Sequence, residues 1–109
     1  MLTLSRAQVA VFEKDKEDAF VERALNFTYT NVANAAEYDR ASLRSSLIGL
    51  MAQARKFGYT TERSVVALFC VCVMTKQNVF HVQRDQAVLL DRKKPEQQRI
   101  AYLDRMYVR

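Results

Sequence analysis

Apolar positions along this chain form one solid block and several stripes. The block is Val65 to Met74, Val-Val-Ala-Leu-Phe-Cys-Val-Cys-Val-Met, without a polar side chain. A helix with no polar face must be covered on nearly every side. A strand buried on both faces reads the same way, and Val65, Val66, Phe69, Val71 and Val73 favour pleated sheet. Periodicity does not separate the two, but the residues just before the block do. In Lys56-Phe57-Gly58-Tyr59-Thr60-Thr61-Glu62, Gly58 suits the left-handed position after a helix and Tyr59 the apolar residue that follows it. Thr60 or Thr61 can cap the next helix, with the Glu62 carboxylate in its first turn, where the helix dipole favours it. One helix stops and another starts, which predicts a central apolar helix over about residues 61–76. Few alternating segments exist elsewhere to supply strand partners.

The stripes supply the wrapping. Ser5 to Gln8 matches a capping box, and Leu4 with Val9 is spaced as a hydrophobic staple, so a first helix is expected to begin there. Its middle, Glu13 to Asp18, is charged on every face, with Glu13/Lys16 and Lys14/Asp18 spaced for surface ion pairs. Phe20, Val21, Ala24, Leu25 and Phe27 then form a stripe expected to dock on the central helix. Thr28 to Asn34 lowers helix propensity, and the helix is expected to fray or end there. Asp39 offers the next N-cap, with Tyr38 and Leu43 as a second staple. Leu43, Leu47, Leu50, Ala54 and Phe57 follow at steps of four and three. Gly49 inside this helix is unfavourable by up to about 1 kcal/mol unless a neighbour needs the close approach it permits, and packing against the central helix is the expected reason. Beyond the polar Thr75 to Asn78, Val79, Phe80 and Val82 are expected to fold back onto the core. A short helix over Arg84 to Asp91 is expected to turn Ala87, Val88 and Leu90 inward. Pro95 suits the opening of a last helix, which carries Ile100, Leu103 and Tyr107 on one side.

Composition agrees with this reading: 109 residues, half of them hydrophobic, with two glycines and one proline, fit one all-α domain over residues 1–109. The expected architecture is a compact bundle of four to five helices around the central one. No stretch approaches the roughly 20 apolar residues that span a bilayer. Met1 to Arg6 lacks the apolar core of a secretion signal, so a cytoplasmic location is expected. Cys70 and Cys72, two residues apart on a helix, point about 200° from each other and are not expected to bridge. Reduced cysteines in the core fit both the spacing and that location.

Chemistry is sparse. Two glycines do not make a phosphate-cradling loop or a dinucleotide fingerprint. A single histidine, His81, excludes the usual helical zinc pair, and no serine sits in a nucleophile-elbow context. No enzyme activity, cofactor or metal is therefore expected. The net charge of +5 is unevenly placed: up to Gln53 there are six basic and seven acidic residues, and from Ala54 onward eleven and five. Arg92, Lys93, Lys94 and Arg99, with Tyr102 and Tyr107 nearby, are candidates for contact with a partner or with phosphates. An ordinary solvated basic surface explains the same residues.

Gln8, Phe20-Val21, the aromatic-Gly turn Phe57-Gly58 and Glu62-Arg63 ahead of the apolar helix, with Leu90, Arg99, Ile100 and Leu103 in the tail, give the chain a resemblance. It resembles small all-helical bacterial proteins encoded near toxins and effectors of contact-dependent secretion systems, especially type VI. Gln77-Asn78-Val79-Phe80 stands where those proteins often carry Gly-x-x-Phe. The resemblance implies a protein-binding accessory, adaptor or immunity role toward an effector or toxin of the same locus. Nucleic-acid binding through the C-terminal basic residues is the alternative expectation, and a homodimer that completes the bundle is a third.

Overall fold

The structure is a computed structural model that describes the backbone of residues 6–107 and the side chains of residues 17–107. Five helices, α1 (Arg6–Asn31), α2 (Arg40–Lys56), α3 (Glu62–Thr75), α4 (Gln83–Leu89) and α5 (Glu96–Tyr107), are joined by short connections. Two of these connections contain single 3-10 turns, Ala33–Glu37 and Val79–His81. Among the described residues there is no strand. The Val65 to Met74 block is helical, and α3 packs against α1, α2, α5 and both 3-10 turns. The Ser5 to Gln8 cap, the Leu4/Val9 staple and the Glu13/Lys16 and Lys14/Asp18 pairs lie outside the described residues.

The turn into α3 forms as its residue types predict. Gly58 adopts φ +87°. Its amide donates to Arg55 O at 3.1 Å and that of Tyr59 to Ala54 O at 2.9 Å, the paired bonds of a Schellman ending. Thr61 is the N-cap of α3, its Oγ1 accepting from the Ser64 amide at 3.2 Å. Asp39 occupies the N-cap of α2 in extended conformation but closes no side-chain capping bond. Along α2, Leu43, Leu47, Leu50 and Ala54 are buried and Phe57 is half-buried, as the stripe predicts.

Three expectations need correction. Phe27 points outward, 50% exposed, and Thr28 takes the inward position. The Thr28 hydroxyl returns its hydrogen to Ala24 O at 2.8 Å, which lets a polar residue enter the core without an orphaned donor. Thr30 and Asn31 make the same i to i−4 bonds, so the polar segment extends α1 to Asn31 before it ends. Gly49 is not pressed against α3: a Cβ built there meets nothing within 4 Å. In α4 the inward pair is Asp85 and Leu89, both fully buried, while Ala87 is exposed and Val88 and Leu90 are half-buried. Seven residues are too short for a stripe to declare itself, and hydrogen bonding at Asp85 decided the face. Val79 and Phe80 do fold back, Phe80 lying 5.1 Å from Phe57 and 5.8 Å from Tyr59 between ring centroids.

Candidate functional site

The expected basic patch divides once folded. Arg92 and Lys93 are exposed and Lys94 is half-buried in the turn before α5, where Asp91 accepts the Lys93 amide on Oδ1 and the Lys94 amide on its carbonyl. Pro95 stands just before α5, and its carbonyl accepts the amides of Gln98 and Arg99. Arg99 leaves the patch altogether, being 2% exposed. Its Nη1 donates to Phe57 O at 2.7 Å and to Leu89 O at 3.4 Å, and its guanidinium lies 4.3 Å from the centre of the Tyr59 ring. These carbonyls end α2 and α4, so the cation sits where two helix dipoles both favour positive charge. Its position on the face of Leu103 was a legible hint of burial that charge obscured.

One turn earlier on α5, Glu96 does the converse. Its carboxylate accepts the amides of Thr60 and Thr61, each at 3.0 Å, and the Thr60 hydroxyl at 2.9 Å, at the start of α3. Burial alone raises its carboxyl, but hydrogen bonds from Ser64, Thr61 and Thr60 outweigh that and hold it down at about 2. The Phe57 to Thr61 corner is therefore gripped from α5 by an anion on its amides and a cation on its carbonyl. Tyr59 is inside the grip, 1% exposed, donating to Leu89 O at 2.8 Å. Burial pushes its phenol up to about 12 against the opposing effect of Arg99.

A second polar group joins α4 to α5. Asp85, fully buried, accepts the Tyr102 hydroxyl at 2.5 Å on Oδ1 and the Tyr107 hydroxyl on Oδ2, and Arg84 Nε donates to it at 3.2 Å. Burial opposes its ionisation, yet these three donors bring its carboxyl below the usual range. Tyr102 and Tyr107 are raised in turn, Tyr102 chiefly by its bond to Asp85 and Tyr107 chiefly by burial. Both tyrosines thus turn their hydroxyls to a carboxylate. Nothing in the sequence pattern marked Asp85, because a lone acid in a polar stretch looks solvated.

Among the described residues, the covering of the central helix is incomplete on one side. Arg23 meets Glu62 at 3.2 Å, and Thr28 meets Cys70 at 3.8 Å, so α1 and α3 run side by side in the same direction. Between them lies an apolar groove lined by Phe20, Ala24, Phe27, Val66 and Ala67, with Arg23, Glu62 and Arg63 around it. Val66, Ala67 and Cys70 are half-buried and Met74 is 38% exposed. Spaced at 66/67, 70 and 74, they share one face of α3, partly covered by α1 at Cys70 and open at Met74. The cysteines are free; burial raises both thiols, that of Cys72 to about 11, and Cys72 Sγ accepts the Val79 amide at 3.3 Å. His81 is exposed. Among the described residues no group of three or more His, Cys, Asp or Glu side chains gathers as a metal site, and no helix is long and apolar enough to cross a membrane. Comparisons with protein families, with curated proteins and with solved structures found no match.

Proposed function

We propose that this chain is a non-catalytic protein-binding module that docks its partner on the α1/α3 groove. The observation that carries the reading is the half-exposed Phe27 beside the half-buried Val66 and Ala67 in the groove. A contiguous apolar surface with a charged rim is what soluble proteins keep for partners. Parallel helices with an apolar groove between them suit a helical segment of the partner, laid in by its own apolar face. The resemblance supplies the finer proposal: an accessory or immunity-type protein acting in the cytoplasm on a secreted bacterial effector or toxin encoded nearby.

The test is calorimetric titration with the products of the flanking genes, using the wild-type chain and Phe27→Asp. Phe27 is exposed, so the substitution is expected to change stability by about 0.5 kcal/mol or less while abolishing binding. Binding by neither gene product, or unchanged binding by Phe27→Asp, overturns the proposal. A second reading, nucleic-acid binding, keeps Arg92, Lys93 and Lys94, which pair with no carboxylate among the described residues. Phosphate contacts weaken steeply with salt, so mobility shifts across ionic strength separate it from docking on an apolar groove.

A further inference from the structure

Two residues stand where backbone conformational preference argues against them, and both line the same cleft. Gly49 lies inside the continuous helix α2, although a Cβ there would meet nothing within 4 Å. Lys76 holds the left-handed position after α3 at φ 59°, the only non-glycine residue with positive φ among those described. The cleft lies between α2 and the C-terminal half of α3 and measures about 500 Å3, with Leu43, Leu50, Phe69 and Val73 among its apolar walls. Its size falls within that of small-molecule sites, which run from roughly 300 to 1,000 Å3. Lys76 is the one charged residue among those that line it. Departures from local rules that converge on one place are expected at functional sites.

We propose that this cleft binds a small amphipathic carboxylate, with its apolar body over Gly49 and its carboxylate at Lys76. A side chain at position 49 points into the space that the apolar body needs, which gives the glycine a reason the fold alone does not. A cation at the end of α3 is favoured by the helix dipole and sets the sign of the ligand. Lys76 Nζ at present meets Glu37 Oε2 at 3.2 Å, with both side chains 58% exposed. So exposed a pair is weak, and a ligand carboxylate can take the place of Glu37. Elsewhere along the lining Asn78 Nδ2 donates to Gln53 Oε1 at 2.8 Å. The site shares no lining residue with the protein-docking groove, and neither proposal depends on the other.

The experiment is a titration of the whole protein with decanoate, and with decyltrimethylammonium as the same tail on an opposite charge, following backbone amide resonances. Saturable shifts centred on Gly49, Leu50 and Lys76 are expected with decanoate, with affinity for the cation lower by about tenfold or more. Gly49→Leu is expected to raise the melting temperature and weaken decanoate by about tenfold. Because that variant is stabilised, a loss of binding is not a loss of fold. Lys76→Gly is expected to erase the preference for the anion, and Glu37→Gln, which frees Lys76, to tighten decanoate about twofold to threefold. Equal binding of the two head groups, wild-type affinity in Gly49→Leu, shifts centred on Phe27 and Val66, or no saturable shift at all overturns the proposal.

Discussion

At the end of α2 the left-handed position is Gly58, and at the end of α3 it is Lys76. The hydrogen bonding around them is the same, since Gln77 donates to Cys72 O at 3.2 Å and Lys76 to Val73 O at 3.3 Å, matching Tyr59 and Gly58. What surrounds them differs. The Gly58 corner is packed by Tyr59, capped by Thr61 and held by Glu96 and Arg99 on α5. The Lys76 corner opens on a cleft, with an exposed ion pair as its charge partner. Identical backbone turns can thus serve opposite ends, one closing the fold and the other leaving a surface unfinished.

The closed corner depends most on Arg99. Arg99→Met removes the donor to two helix-terminal carbonyls and the stack on Tyr59, and is expected to cost about 3 kcal/mol in urea unfolding at pH 7. Lys76→Met, at the open corner, is expected to stay within about 0.5 kcal/mol. Next comes Gly58→Ala. A Cβ there makes ordinary contacts of 3.6 Å, so strain at positive φ is the whole effect, about 1–2 kcal/mol.

Glu96→Gln tests the anionic half of the grip and is expected to cost about 1 kcal/mol at neutral pH. Its sign with pH follows from the lowered carboxyl. The contribution of Glu96 is complete above the unfolded value near 4.5 and is lost as pH falls toward about 2. Wild type is therefore expected to lose stability through that window more steeply than Glu96→Gln, and parallel curves would show that the carboxylate is not held. The smallest effects are gains. Lys76→Gly and Gly49→Ala are each expected to add up to about 1 kcal/mol, and a loss in either would show that the cleft is part of the packed fold.

The helix boundaries and the core of α2 and α3 were legible because their cues are local. Gly58, Thr61 and the Leu43 to Phe57 stripe act through bonds or faces within one or two turns. Arg99 and Gly49 differ from expectation, and Asp85 carried no signal, because their partners are far along the chain or absent. Arg99 meets Phe57, 42 residues away, and Asp85 meets Tyr107, 22 residues away. A buried charge is decided by such remote acceptors and donors, which composition and spacing do not reveal. Phe27 and Thr28 exchanged places because a hydroxyl that bonds its own helix is cheap to bury. The α1/α3 groove had no cue of its own, since a solid apolar block reads the same whether or not one side stays wet.

The grip on the Phe57 to Thr61 corner also orders events in time. Its residues are made before Glu96 and Arg99, which hold it, and before Ile100 and Leu103, which cover the core beside it. Until they emerge, the nascent chain carries a greasy flank on α3 with nothing to shield it, the state in which growing polypeptides are prone to clump or to recruit chaperones.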